Sequence, residues 1–255
     1  MHIFEDRFEV RFSNSSVELK ESQRLRYRVF IEEMGGRVKE KVYEQPIERD
    51  EFDVQCQHLL LIDHRKKSGS KIVGVIRLMV RSEAERGLGF SSAKEYNLGP
   101  LMKSHEKCLE LGRTCIDSSY RNSLALHYLW KGIGSFAKEN DIDLLFGVAS
   151  FPGNDVKRIS MALSLIHNNY LAPIKIRPKA LKSGFVDMNL VPKNDIDEKK
   201  ALSQMPSLLK AYLRLGATVG EGAFMDQILN TIDVCIIIDL NHMTEKYREY
   251  YGKSR

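Results

Sequence analysis

One segment constrains the fold of this chain more than any other. Residues 108–117 and 144–150 each have the composition of a strand, and residues 124–137 between them show helical periodicity. A strand, a helix and a second strand in this order form a βαβ unit, whose two strands run parallel in one sheet. Residues 155–170 then predict a further helix.

The N-terminal part predicts antiparallel strands in the same sheet. Residues 8–12 alternate apolar and polar side chains, as a half-buried strand does. Residues 58–63 and 71–80 are apolar runs joined by KKSGS, a turn composition, and therefore predict a β-hairpin. A helix that ends near Gly35 precedes them. We therefore expect an α/β (α+β) fold with a mixed central sheet flanked by helices.

The C-terminal third continues without an obvious linker. It predicts strands over residues 184–190 and 233–240, a helix over 199–215 and a final Tyr-rich helix. We therefore expect a core over residues 1–172 and an extension over residues 173–255 that packs on the same domain.

Composition limits the classes of function. The net charge of +5 suits an acidic partner or an anionic membrane surface, but an ordinary solvated surface explains it equally well. The basic residues are spread along the chain, and we expect no nucleic-acid partner. The four cysteines form no pair or ladder at metal-ligand spacing, so we expect no metal site. With no signal peptide and no run of about 20 apolar residues, we expect a cytoplasmic protein, with at most peripheral contact at the inner membrane.

The run ELGRTCIDSSYRNS holds the densest group of unusual residues. Glu110 and Arg113 lie on a predicted strand that also contains Gly112, and a glycine inside a strand often marks a bulge. A bulge would direct backbone N–H groups at a ligand such as a developing thioester oxyanion. The alternative is a strand with a surface ion pair. Arg121 lies just before a predicted helix, where free amides and positive charge favour a phosphate, although Ser123 as a simple N-cap explains the pattern equally well.

The run ERDEFD is the second cluster, and it is either a cation- or amine-binding loop or a solvated one. Arg24 and Arg28 share one face of the first predicted helix, and Arg26 lies beside them. These cations can pair with Asp50 or Asp53 and so hold the acidic loop against the core.

Four runs, LRYRVFIEEMG, ERDEFD, VGVIRLM and ELGR, together resemble the signature of the acyl-homoserine-lactone synthases. Those are GNAT-fold enzymes that take acyl chains from acyl carrier protein. The resemblance places the characteristic positions of that family at Arg26, Phe30, Asp50, Asp53, Arg77, Glu110 and Arg113. One position departs, because Gly36 stands where that family has a tryptophan.

A second resemblance covers nearly the whole chain. The runs ELGRTCIDSSYRNSLALHYLWKGI, LFGVASFPG, LLKAYLRLGA and NTIDVCIII are similar to the ornithine-lipid acyltransferases. The resemblance implies that a 3-hydroxyacyl chain moves from acyl carrier protein to the α-amine of ornithine, giving lyso-ornithine lipid. A related branch of that family acylates glycine.

The resemblance also implies roles for individual residues. In the GNAT fold, two parallel strands open into a V that admits the phosphopantetheine arm of the donor. The arm is then expected to lie across Thr114, Cys115 and Ile116, with its phosphate near Arg121, Asn122 and Ser123. No cofactor is expected to be bound permanently, because the acyl-phosphopantetheine of the carrier protein is the donor.

Glu110 is the first candidate for the base that deprotonates the amine, directly or through a water. Arg113 close by favours its charged form, so Glu110 alternatively positions the amine. Asp50 and Asp53 are candidates for holding a cationic amine of a small amino-acid acceptor. Cys115 as an acyl-enzyme nucleophile is a rival reading, although no histidine lies near it in sequence.

Three functions follow. The first is the acyltransferase of ornithine-lipid synthesis. The second is an acyl-homoserine-lactone synthase or an N-acyl glycine synthase. The third is a GNAT-shaped module that binds an acyl chain or a carrier protein without catalysis.

Overall fold

The computed structural model describes residues 1–37, 46–104, 107–121 and 124–241. Ten strands form one sheet, in which β1-β2-β3-β4-β6-β7-β12-β11-β9 lie side by side and β10 pairs with β12; β5 and β8 form a separate ribbon. The strands are β1 His2–Glu5, β2 Phe8–Phe12, β3 Gln57–Asp63, β4 Ile72–Val80, β5 Tyr96–Asn97, β6 Cys108–Ile116, β7 Leu144–Pro152, β8 Lys179–Ala180, β9 Phe185–Val186, β10 Thr218–Val219, β11 Ala223–Asp226 and β12 Thr231–Asp239.

Helices cover both faces of the sheet. They are α1 Ser16–Arg26, α2 Arg81–Arg86, α3 Gly99–Ser104, α4 Ala125–Glu139, α5 Ser160–Tyr170, α6 Glu198–Gln204 and α7 Ser207–Arg214. The alternation along β3 separates the two faces: Leu59 and Leu61 pack in the apolar cluster that includes α4, whereas Leu60 and Ile62 pack in the cluster that includes α1. The prediction of a mixed sheet flanked by helices is confirmed.

Several predicted elements keep their place but change their bounds. The predicted helix over residues 199–215 is two helices, because Pro206 disfavours helical geometry at Met205 and lacks an N–H group. The predicted strand over residues 184–190 shortens to β9. The predicted final Tyr-rich helix lies outside the described residues. Across the described segments, no helix combines the length and apolarity that crossing a bilayer requires.

The C-terminal part completes the sheet. β12 pairs antiparallel with β7 at nine positions, from Thr231↔Pro152 to Asp239↔Leu144. Strands from both parts of the chain therefore share one sheet, and the boundary at residue 172 stays a prediction.

Candidate active site

The sheet opens between β6 and β7. The two strands are parallel and pair only from Cys108↔Leu144 to Glu110↔Phe146. Both strands continue beyond those positions, but their pairing stops. Beyond Glu110 and Phe146 the facing edges of β6 and β7 are thus unpaired, which leaves a cleft between them toward Ile116 and Pro152.

Gly147 occupies the apex of this cleft. A Cβ atom at Gly147 would lie 2.2 Å from the carbonyl oxygen of Leu111 on β6. Real side-chain carbons do not approach a backbone oxygen so closely, so glycine is the residue that lets the two strands meet here. Gly147 is visible in the run LFGVAS, but its role is not. The contact that requires a glycine is with Leu111, which lies 36 positions earlier in the chain.

A bulge distorts β6 next to the cleft. Gly112 pairs with Arg77 and Cys115 pairs with Val75, so two residues of β6 oppose the single residue Ile76 of β4. Arg113 takes up the distortion with a φ of 50°, in the left-handed region. The predicted bulge therefore lies one residue after Gly112.

Six charged side chains form a closed ring beside the bulge. Arg26 donates from Nε to Glu48 at 2.5 Å and from Nη1 to Asp53 at 2.7 Å. Arg77 contacts Asp53 at 2.8 Å and also Asp50, and Arg113 contacts Glu48 at 3.1 Å and Asp50 at 3.0 Å. Three arginines thus alternate with three carboxylates, so the ring has no net charge.

The ring keeps its carboxylates ionised. Burial by itself raises the pKa of Asp53, but the guanidinium groups of Arg26 and Arg77 outweigh it and hold that pKa well below its usual value. The pKa of Asp50 is lowered in the same way by Arg113 and Arg77, against the effect of burial. Asp50 and Asp53 each contact two arginines and so anchor the loop over residues 46–54. An amine bound by these carboxylates, as predicted, would have to compete with the arginines.

The neighbouring arginines of the first helix do not join the ring. Arg24 pairs with Glu21, and Arg28 lies 3.9 Å from Asp117. Phe30 lies in the π-helical segment Tyr27–Glu33 that follows α1, partly buried against the α1 side of the sheet.

Glu110 holds a second loop over the same face. Its Oε2 accepts hydrogen bonds from the backbone N–H and hydroxyl of Ser91, both at 3.0 Å. Its Oε1 accepts from the N–H and hydroxyl of Ser92, at 2.7 and 2.6 Å. Both oxygens are therefore occupied, and Glu110 lies behind the serines rather than facing open space. Its catalytic role stays a prediction.

A cavity of about 250 Å³ lies under these two loops. The ring side contributes Glu48, Asp50 and Arg113 to its wall, and the second loop contributes Ser91 and Ser92. A second, much smaller cavity of about 10 Å³, room for a single water molecule, reaches the cleft from the side of α7, where it is lined by Gly147 and Tyr212. The two cavities share Leu111 and Val148 and thus meet at the cleft.

The predicted donor-binding residues line one edge of the cleft. Thr114, Cys115 and Ile116 form the end of β6, beyond its pairing with β7. Arg121 donates to the Ile116 carbonyl at 3.0 Å and to Glu33 at 2.5 Å. Asn122 and Ser123 lie outside the described residues, so their predicted contact with a phosphate stays a prediction.

Comparison with known proteins identifies the family. The profile of the acetyltransferase (GNAT) domain matches residues 25–131. The L-ornithine N(alpha)-acyltransferase of Rhodobacter capsulatus is 42% identical over 249 residues, which cover 96% of this chain and 95% of that protein. The enzyme of the same name from Brucella abortus is 40% identical, over 96% of this chain and 88% of that protein. The chain belongs to the L-ornithine N(alpha)-acyltransferase family.

Solved structures agree on the fold of this acyltransferase. The AHL synthase LasI superposes with a TM-score of 0.54 at 17% identity, over 97% of this chain and 98% of that one. FeeM, an N-acyl amino acid synthase from uncultured soil microbes, superposes with a TM-score of 0.52 at 14% identity, over 92% of each chain. This acyltransferase is thus an N-acyltransferase with a GNAT fold, a type that takes its acyl group from a thioester donor.

The departure at Gly36 has a structural reason. A Cβ atom there would lie 2.7 Å from the Phe30 carbonyl oxygen and 3.1 Å from Cα of Leu229, in the turn between β11 and β12. Arg37 N–H donates to the Ile228 carbonyl at 2.6 Å, and Ile228 and Leu229 line the larger cavity. In this acyltransferase the C-terminal part thus occupies the space next to Gly36, where a large side chain has no room.

Cys115 is expected to be dispensable as a nucleophile. The thiol is buried and burial raises its pKa to about 12, so the reactive thiolate is scarce at neutral pH. We expect Cys115→Ala to keep acyl transfer within about threefold, since direct transfer needs no acyl-enzyme. Intact-mass spectrometry of wild type mixed with donor alone checks this directly. An acyl adduct that disappears in the variant, together with its activity, would contradict the prediction.

Sequence reasoning missed several residues of this site. Glu48 completes the charged ring, and Ser91 and Ser92 hold Glu110. Glu48 was visible as the first acid of ERDEFD, but nothing marked it above its neighbours. The two serines follow a Gly-Phe pair in an otherwise irregular stretch and carry no recognisable spacing to Glu110.

Proposed function

We propose that this protein transfers a 3-hydroxyacyl chain from acyl carrier protein to the α-amine of ornithine, giving lyso-ornithine lipid. Membership of the family supports the reaction and the acceptor. The observation that carries the proposal is the open cleft between β6 and β7, with one cavity on each side.

The cleft suits a thin thioester arm. A phosphopantetheine arm that enters from the side of α7 passes Tyr212 and Gly147 and reaches Leu111 and Val148, where the cavities meet. The thioester carbonyl then lies beside the free edge of β6, where the backbone N–H groups that point away from β4 are positioned to polarise it. The narrow cavity is lined mainly by apolar residues, so the arm and the first carbons of an acyl chain would enter along an apolar path once Tyr212 moves aside.

The larger cavity suits a small amino acid. The α-ammonium first releases one proton to solvent. The neutral amine nitrogen then attacks the thioester carbonyl carbon, the carbon–sulfur bond breaks, and the carrier's sulfur leaves as a thiol with the second proton that the nitrogen gives up. Glu110 acts here as a positioning residue, because its four hydrogen bonds hold Ser91 and Ser92 in the cavity wall. Arg113 has the same role for the loop of Asp50.

The donor protein needs a basic surface. Lys157 and Arg158 are exposed in the turn that precedes α5, near the C-terminal end of β7, at the unpaired end of the cleft. An acidic carrier protein gains association rate from such a patch. The lipid product has to reach a bilayer, so we place the protein in the cytoplasm with peripheral contact at the inner membrane.

Purified protein tests the proposal. We expect ornithine with 3-hydroxyacyl carrier protein to give an N-acyl ornithine, detected by mass spectrometry, and acyl-coenzyme A to give far less. Glu110→Ala and Arg113→Ala are expected to lower the rate at least about 100-fold, because misplaced loops misalign the acceptor. Circular dichroism verifies that both variants are folded.

Other products decide against the proposal. If the protein forms N-acyl glycine from glycine faster than it acylates ornithine, the acceptor is glycine. If it forms an acyl-homoserine lactone from S-adenosylmethionine faster, the acceptor is S-adenosylmethionine. Donor binding without any transfer would indicate a binding module. Full activity of both Glu110→Ala and Arg113→Ala would show that neither residue is needed to position the loops for acyl transfer.

A further inference from the structure

Three carboxyl groups meet at the far wall of the larger cavity. One oxygen each of Glu95, Asp226 and Asp233 lies within 4.8 Å of the other two. They come from three separate elements: Glu95 follows the turn that carries Ser91 and Ser92, Asp226 ends β11, and Asp233 lies on β12. Glu95 and Asp226 line the cavity directly.

One buried oxygen each of Asp233 and Glu95 lacks a hydrogen-bond donor among the described residues. Asp233 is 1% exposed, and neither its Oδ1 nor the buried Oε2 of Glu95 receives a hydrogen bond from a described residue. Asp226 is partly satisfied, since its Oδ1 accepts from Ile228 N–H at 2.6 Å and Leu229 N–H at 3.0 Å. Buried carboxyl oxygens without donors are unfavourable, and they mark a place where a donor or a cation is needed.

The electrostatics of the group point the same way. Burial raises the pKa of Glu95 well above its usual value, and the charges of Asp233 and Asp226 raise it further. Burial likewise raises the pKa of Asp233 to about 6, although side-chain hydrogen bonds with Ser150, Thr231 and Glu95 lower it in part. Along the described chain, no lysine or arginine forms an ion pair with any of the three carboxyls. An added cation would thus relieve repulsion inside the group.

We propose that Glu95, Asp226 and Asp233 bind the side-chain ammonium of the acceptor and thereby select a diamino acid over a simple α-amino acid. This inference rests on the proposed function, since it assigns a subsite to that acceptor. An ammonium offers three N–H donors, which matches three converging carboxyl groups.

The position of the group distinguishes the two amines of the acceptor. Asp233 pairs with Ser150 of β7 and with Phe224 of β11, so β7 separates it from the cleft. Neighbouring strands lie about 4.8 Å apart, so the carboxyls lie roughly one strand spacing or more from the reacting carbonyl. The amine that attacks must lie at the cleft, and an acceptor with a second amine on a short carbon chain reaches the carboxyls with the other one.

Paired acceptors test this subsite. Norvaline has the carbon skeleton of ornithine but no side-chain amine. We expect wild type to bind ornithine at least about tenfold tighter than norvaline, because hydrogen bonds between charged groups are among the strongest in proteins. In Asp226→Asn and Glu95→Gln the preference is expected to shrink to within about threefold, while the Kd for norvaline stays constant. Isothermal titration calorimetry measures both ligands without turnover.

The controls separate this idea from the alternatives. Asp187→Asn makes the same change in an exposed turn after β9, where Asp187 accepts from Asn189 N–H at 2.9 Å, and it should keep the wild-type preference. Unchanged norvaline binding shows that a variant is folded. If a variant loses affinity for ornithine and norvaline equally, the proposal is overturned. The three carboxyls would then act on the reacting amine or stabilise the fold. Tight binding of Mg²⁺ or Ca²⁺ that is lost in Asp226→Asn would overturn it in favour of a metal site.

The outcomes also separate the two proposals. If wild type binds ornithine over norvaline but acylates neither, the subsite stands and the proposed reaction fails. If it acylates both equally well and binds both equally, the reaction stands and the subsite fails.

Discussion

Arg26→Met is expected to lower the free energy of unfolding by about 3–5 kcal/mol, the usual effect of removing one partner from a buried ion pair. Arg26 is fully buried, and its loss leaves Glu48 and Asp53 each with one arginine instead of two. Methionine fills similar space and has a similar helix propensity, so packing and helix formation change little. Urea denaturation at neutral pH measures the change.

Arg24→Met is the matched control. It makes the same substitution two residues earlier on the same helix, where the side chain is 36% exposed and contacts Glu21. Exposed ion pairs contribute about 0–1 kcal/mol, so its effect should stay within that range. If Arg26→Met lowers the free energy of unfolding no more than Arg24→Met does, the ring stabilises the protein no more than an ordinary surface ion pair.

The pH dependence of that difference follows from the lowered pKa values. Ionised Glu48 and Asp53 stabilise the native wild type above their unfolded pKa values near 4, and this contribution is lost as pH falls through their folded, lowered values. In Arg26→Met these carboxyls protonate at higher pH, because one cation is gone. The two proteins should therefore differ fully at neutral pH and progressively less below about pH 4.

Local patterns predicted much of the fold, while the order of strands in the sheet was beyond them. The turn KKSGS correctly joined β3 to β4, and periodicity correctly separated β6, α4 and β7. Nothing near residues 231–239 indicates that β12 lies beside β7, because that choice depends on contacts between segments about 80 positions apart. The break between α6 and α7 is a different case, because Pro206 is a local signal in the sequence that a helix cannot continue through this position.

The site shows the same division between local and distant information. The pairing of Arg26 with the acidic loop was foreseeable, because a helix full of arginines and a loop full of acids have to neutralise each other. The group of Glu95, Asp226 and Asp233 was not, since more than 130 positions separate its first two members. Only the order β7-β12-β11 brings them together.

Gly147→Ala is expected to lower kcat/KM about 100-fold, because a displacement of about 1 Å at a reacting centre costs that much. The added methyl would lie 2.2 Å from the Leu111 carbonyl oxygen, and backbone rather than a side-chain tip has to move. Forced overpacking of this kind also lowers stability by about 1–3 kcal/mol. Because both cavities meet at Leu111 and Val148, the shift moves the edge of β6 against the edge of β7 at the place where the thioester must lie.

Gly112→Ala provides the stability control from the opposite strand. A methyl there meets its nearest atom, Nε of Arg77, at 3.6 Å, an ordinary contact. A glycine replaced by alanine in a compatible conformation gains about 0.4–1 kcal/mol from the unfolded state, so Gly112→Ala should be at least as stable as wild type. The assay compares kcat/KM for the donor, from initial rates at subsaturating donor, with thermal denaturation for each variant. Wild-type rates in Gly147→Ala would mean that the donor does not use this cleft, since its apex could then be forced apart without effect on transfer.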